Sequence, residues 1–171
     1  ISVNVSRASL DDLTLPDRFA ALVREMHATP ETVILEITES AATSDPMATM
    51  DILTRLRLKG FGLGLDDFGT GFSSLVALHR LPFTHIKVDR SFVEELPGQR
   101  EASMIIKTVA DLAKNMGLHT VAEGVETKEQ FETLRQLGID LIQGYYISRP
   151  MPAEKAMDWL GGWVAKSLTH N

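Results

Sequence analysis

Short β-branched runs alternate with amphipathic helical patterns along the whole chain, and this alternation constrains the fold more than any other feature. Ile1-Ser2-Val3-Asn4-Val5 reads as a first strand. A helical pattern follows from about Pro16 to His27, with Phe19, Leu22, Val23 and Met26 on one face. Thr32 to Ile37 is a β-branched strand. Asp45-Pro46 opens a helix carrying Met50, Leu53 and Leu56, and Gly60 stops it. Further strands are expected at Phe61 to Leu65, Thr84 to Val88, His119 to Ala122 and from Ile139 to Ile142. Between them fall a short helix near Ser73 to His79 and an apolar helix over Ala102 to Met116. Another helix is opened by the capping box Thr127-Lys128-Glu129-Gln130, and a last one runs from Pro152 to Trp163. Met47, Met50, Met104 and Met116 fall in the helical patterns and are expected as core filler. Such repetition with short connections implies a parallel sheet covered by helices. An open doubly wound sheet and a TIM-type barrel both satisfy it.

The polar residues favour the barrel. Asn4, Glu36, Asp66 with Asp67, Lys87, Glu123 and Gln143 fall at the ends of successive expected strands, roughly one βα unit apart. Period-two alternation puts Thr32, Ile34 and Glu36 on one face of their strand and Val33, Leu35 and Ile37 on the other. The second set suits a layer facing helices. The first would line a barrel, with Glu36 at the open end. In a TIM-type barrel all strand C-termini surround one mouth, so these side chains would meet there. Lys87 stands between Ile86 and Val88 in an apolar strand, which argues against an ordinary surface lysine.

The densest chemistry is Leu65-Asp66-Asp67-Phe68-Gly69-Thr70-Gly71. Adjacent strand residues point to opposite faces, so two neighbouring acids serve one site only where the strand ends and the backbone turns. Crowded carboxylates repel unless cations lie between them. Every candidate ligand is an oxygen donor, which suits Mg²⁺ or Mn²⁺. Two such ions sharing a bridging carboxylate would support hydrolysis of a phosphodiester, and Lys87 would hold the attacking water or neutralise phosphate charge.

Composition narrows the alternatives. A net charge of −6 speaks against a broad nucleic-acid-binding face. The absence of cysteine excludes disulfides and thiolate metal sites and fits a reducing, cytoplasmic setting. No apolar run approaches the roughly 18 residues of a membrane span. The sequence begins at Ile1 already inside a strand-like segment, so one domain over residues 1–171, trimmed at its N-terminus, is expected.

At these residues the chain resembles the EAL family of cyclic di-GMP phosphodiesterases. The segments that carry the resemblance are Ser2-Val3-Asn4-Val5-Ser6, Leu35-Glu36-Ile37-Thr38-Glu39, Asp66 through Leu75, Ile86-Lys87-Val88-Asp89, Val121 through Glu126, and Gln143-Gly144-Tyr145. The resemblance implies a TIM-type (β/α) barrel that linearises cyclic di-GMP to pGpG with two Mg²⁺ or Mn²⁺ ions. It implies Asn4, Glu36 and Asp66 as ligands of one metal, and Asp66, Asp67 and Glu123 as ligands of the second. Lys87 would position the catalytic water, Glu123 would also accept a proton, and Gln143 would contact substrate. Glu39 would steady the loop from Phe68 to Ser74, which in the family also makes dimer contacts. A homodimer and an upstream sensory or regulatory domain are implied partners.

The Glu-Ala-Leu signature and the strands that precede it are missing from this sequence. About six of eight barrel strands would be present, leaving open edges. The fragment alone is therefore expected to be inactive or nearly so. A degenerate domain that only binds cyclic di-GMP or a protein is the alternative, although every later ligand position is filled. An unrelated barrel enzyme such as an enolase-like lyase leaves the aspartate-glycine loop unexplained.

Asp89 is expected either to orient Lys87 or to form a salt bridge with Arg90 or a loop lysine, and Glu126 to favour the following helix N-terminus. His85 is expected as a hydrogen-bonded core histidine.

Overall fold

A computed structural model describes residues 1–43, 46–69 and 74–168. Six strands form one wholly parallel sheet in sequence order: β1 (Ser2–Asn4), β2 (Ile34–Thr38), β3 (Gly62–Phe68), β4 (His85–Val88), β5 (His119–Ala122) and β6 (Leu141–Ile142). Consecutive strands are neighbours throughout, with no reversal of order, so the sheet is a half-barrel of TIM type and not a doubly wound sheet. β1 and β6 each have one strand neighbour and form its edges.

The helices are α1 (Arg7–Leu10), α2 (Leu15–Glu25), α3 (Glu39–Thr43), α4 (Pro46–Leu58), α5 (Ser74–Arg80), α6 (Arg90–Glu94), α7 (Arg100–Met116), α8 (Lys128–Leu137) and α9 (Ala153–Leu168). Thr127 accepts from the Gln130 amide while the Gln130 side chain accepts from the Thr127 amide, forming the expected capping box. Gly117 and Gly138 end α7 and α8 in the left-handed conformation that glycine adopts without a Cβ clash.

The strand alternation divides the sheet into a packed face and a chemical face. Leu35, Ile37, Leu63, Leu65, Ile86, Val88 and Ala122 are buried on the outer face. Ile52, Leu53 and Leu56 of α4, Ile106 and Ala113 of α7 and Leu134 of α8 join them in one core. Each large apolar side chain withdrawn there contributes about 1.5–3 kcal/mol of transfer free energy. The inner face carries Ile34, Glu36, Gly62, Gly64, His85 and Lys87. Glycine at position 64 leaves room here: a Cβ would lie 3.6 Å from Cγ of Glu36 and 3.9 Å from Cβ of His85.

Several sequence expectations change. Met47, Met104 and Met116 are exposed and do not fill the core. The buried stripe of α7 consists of Ala102, Ile106, Val109, Ala110 and Ala113, and Met104 and Met116 lie beyond its edge. Leu22 of α2 and Met26 just after it are likewise exposed, while Phe19 packs against Phe61 with ring centroids 6.3 Å apart. β3 continues past Leu65 to Phe68. The short helices α1, α3 and α6 were not foreseen, because four or five residues hold too little periodicity to register. Asp45 and residues 70–73 of the loop after the aspartate pair lie outside the described residues.

Candidate active site

Parallel pairing delivers the candidate residues to one end of the sheet. Asn4 stands opposite Glu36 in the β1–β2 register, and Asp66 stands opposite Thr38 in the β2–β3 register. Lys87 pairs with Val121, and Glu123 follows directly after β5. Gln143 follows β6, and its amide donates to the Ala122 carbonyl. Asn4 ends β1, Glu36, Asp66 and Lys87 lie from the middle of their strands onward, and Glu123 and Gln143 follow theirs directly.

Lys87 is the hub. It is 4 % exposed, and its ammonium lies 2.5 Å from Oε2 of Glu36, 3.0 Å from Oδ1 of Asp66 and 2.6 Å from Oε1 of Glu123. Carboxylates separated by 30 to 87 residues in sequence therefore converge on one cation. Burial alone would lower the Lys87 pKa, but the bonds from Glu123, Glu36 and Asp66 outweigh it and hold the group well above the ordinary lysine range. Glu123 moves upward, because burial and the charges of Asp66 and Glu36 outweigh its bond to Lys87.

Asp67 solves the problem of two adjacent acids on one strand. The β3–β4 register shifts between Leu65 and Phe68, and Asp67 adopts a left-handed φ of 57°. Aspartate tolerates that conformation better than most residues with a Cβ. The irregularity re-aims the chain so that the Asp67 amide donates to Oδ1 of Asp66 at 3.0 Å. Desolvation, then the charges of Asp66 and Asp89, raise the Asp67 pKa above the usual aspartate value, with Lys87 opposing. A carboxylate that resists ionisation beside two others is relieved by nearby positive charge.

The other expected residues take more varied places. Asn4 is exposed at the sheet edge, in register with Glu36. Glu39 is buried as the first residue of α3, directly after β2, and the loop it was expected to steady falls mostly outside the described residues. Gln143 lines a cavity of about 190 Å³ with Arg90, Glu123, Gly124, Glu126 and Tyr145. His85 bonds Thr84 through Nδ1 at 2.7 Å, as expected, but it is only half-buried, with its ring tilted by 36° against that of His119. Asp89 matches neither expectation: it caps α6 by accepting from the Ser91 amide at 3.0 Å. Sequence reasoning places Gly144 only within the Gln143-Gly144-Tyr145 segment and gives it no role, yet its backbone lies so close to Val125 that a Cβ would collide with it. A Gln-Gly pair after a strand was the available signal.

The donor chemistry fits a hard divalent cation. Glu36, Asp66 and Glu123 present oxygen atoms to one small volume, with Asp67 adjacent. Among the described residues, no three His, Asp or Glu side chains form a metal cage as they stand, since the acids close on Lys87.

The EAL domain family profile matches residues 1–150. This chain belongs to the EAL domain family. It is 40% identical over 162 residues to the cyclic di-GMP phosphodiesterase RocR of Pseudomonas aeruginosa, covering 95% of this chain and 41% of RocR. A solved structure of the MucR phosphodiesterase in complex with cyclic di-GMP is 40% identical, with a TM-score of 0.84 over 91% of this chain and 63% of that one. The manganese/cyclic di-GMP complex of Klebsiella pneumoniae BlrP1 is 31% identical, with a TM-score of 0.82 over 87% of this chain and 38% of that one. The chain thus spans less than half the length of RocR, and an EAL relative has been solved with both manganese and the dinucleotide. No described helix is long and apolar enough to cross a membrane.

Proposed function

We propose that this EAL segment belongs to a metal-dependent phosphodiesterase that opens cyclic di-GMP to linear pGpG. The observation that carries this reading is the convergence of Glu36, Asp66 and Glu123 on Lys87 at the strand ends. The names of RocR and MucR support the substrate class, and the BlrP1 complex supports a divalent cation.

In this reading Asn4, Glu36 and Asp66 would hold one Mg²⁺ or Mn²⁺ ion, and Asp66, Asp67 and Glu123 a second. Bound ions would screen the phosphate and lower the pKa of a coordinated water. Lys87 would orient the attacking water and face the negative charge that builds on the phosphoryl oxygens. Glu123, 2.6 Å from the Lys87 ammonium at the exit of β5, would accept the proton the water gives up. Gln143 contacts the nucleotide from the β6 end, and Glu39 at the start of α3 supports the neighbouring loop. The open edges at β1 and β6 favour a domain completed by further chain, so residues 1–171 alone should turn over little. A homodimer, an upstream regulatory domain and a cytoplasmic setting belong to the same proposal.

The test is to incubate the full-length protein with cyclic di-GMP and Mg²⁺ or Mn²⁺ and separate the products chromatographically. Formation of pGpG supports the reading. Tight binding of cyclic di-GMP without product would replace the enzyme with a receptor.

A further inference from the structure

The geometry points to Arg90 as a positioning residue that holds Glu123 at its distance from Lys87. This rests on the proposed phosphodiesterase reading for its kinetic consequence, though not for its structural one.

Arg90 is the first residue of α6, three positions beyond Lys87, and the Asp89 cap ties α6 directly to the end of β4. Its Nη2 donates to Oε1 of Glu126 at 3.1 Å, and its Nε donates to Glu94 of the same helix. Glu126 lies three positions beyond Glu123 on the neighbouring connection. The guanidinium therefore bridges the exits of β4 and β5, the two strands that carry Lys87 and Glu123. Between these anchor points the aliphatic stem of Arg90 lies against Gly124, so closely that a Cβ there would meet its Cβ, Cγ and Cδ. Gly124 has a left-handed φ of 71° and is the residue next to Glu123. The stem thus packs against the residue that directly follows Glu123.

Two further contacts make α6 a fixed support. The Val93 carbonyl of α6 accepts from Nε2 of Gln130 at 3.2 Å, while Oε1 of Gln130 accepts from the Glu126 amide at 2.8 Å. At the other side Phe92 packs under Gly69, where a Cβ would lie 3.2 Å from the ring. The five-residue helix therefore touches the backbone after Asp67 and the backbone after Glu123 at once. Arg90 itself is half-exposed, so its ion pairs add little to global stability. Its value lies in register, since small misplacement of a reacting group can cost about a hundredfold in rate.

The experiment compares wild type, Arg90→Ala, Glu126→Ala and the double variant of the full-length protein. Readouts are cyclic di-GMP hydrolysis, thermal unfolding, and amide hydrogen exchange at residues 123–126. For Arg90→Ala we expect kcat to fall about tenfold or more with KM changed less than about twofold. Unfolding should shift by less than about 4 °C. Exchange at Gly124 to Glu126 should accelerate about tenfold. The double variant should lose no more rate than Arg90→Ala, because both changes cut one strut. Unchanged exchange, losses that multiply, or an effect confined to KM would overturn the inference. Accelerated exchange in a protein whose wild type forms no pGpG would support the strut and count against the phosphodiesterase reading.

Discussion

The Lys87 ammonium lies 2.6 Å from Oε1 of Glu123 across neighbouring strands, and each group carries a pKa above its ordinary value. The two shifts have different origins. Lys87 is held charged by three acids that overcome its burial, whereas Glu123 is pushed toward its neutral form by burial and by the other acids. A cluster of this kind is short of positive charge, which suits a site that takes up cations and an anionic ester.

Removing the cation should expose that shortage. Lys87→Ala leaves Glu36, Asp66 and Glu123 facing one another in a largely buried site. Loss of about 3–5 kcal/mol is expected in metal-free protein, as for other broken buried pairs. Urea unfolding with and without Mn²⁺ checks it, and the deficit should shrink when the metal is present.

The pH dependence follows from the raised carboxyl of Glu123. Its ionised form is disfavoured in the folded state, so the penalty is present above the folded pKa. The penalty fades as pH falls toward the unfolded value of 4.5. Wild type should therefore gain stability relative to Glu123→Gln when pH is lowered from 7 toward 4.5. Paired urea titrations in metal-free buffer at the two ends of that window measure the difference. Lys87 adds no slope there, because a lysine raised above 10.5 gives its stabilisation in full at every pH below 10.5.

Asp67 should separate backbone from chemistry. Its φ of 57° is open to glycine and strained for alanine. Asp67→Gly should be more stable than Asp67→Ala by about 1 kcal/mol. Both should lose hydrolysis alike, since both lack the carboxylate. Denaturation curves beside initial rates distinguish the two effects.

Gly144 should tolerate no side chain. Alanine there would press on the Val125 backbone, whose amide and carbonyl are already bonded to Gln143 and Tyr146. A loss of about 1–3 kcal/mol is expected. It should be accompanied by weaker binding of cyclic di-GMP, because Gln143 moves with its neighbour. Calorimetric unfolding and equilibrium binding read both.

The sequence made the strand order and the mouth legible because each βα unit repeats one pattern, with apolar residues facing helices and a polar residue at the strand end. Glu36 and Lys87 were found this way, and their burial follows from the alternation with Leu35, Ile37, Ile86 and Val88. Local chemistry exposed the Thr127 capping box and the glycine stops. The left-handed turn at Asp67 was not legible as such, since it arises from a register shift against β4. The role of Asp89 escaped because a five-residue helix follows it, too short to show a period. Arg90 escaped for a related reason: its partners Gly124 and Glu126 lie on another connection, and nothing local in the sequence joins them. The exposed methionines show the limit of reading helix faces without knowing which stripe the sheet covers.

The most direct measurement is the initial rate of pGpG formation by full-length Asp66→Asn beside wild type, at saturating Mn²⁺ and equal folded fraction. Asp66 touches Lys87 and is assigned to both metal positions, so its amide should reduce the rate by at least about a hundredfold. Equal rates for the two proteins would contradict the convergence of these side chains on one catalytic centre.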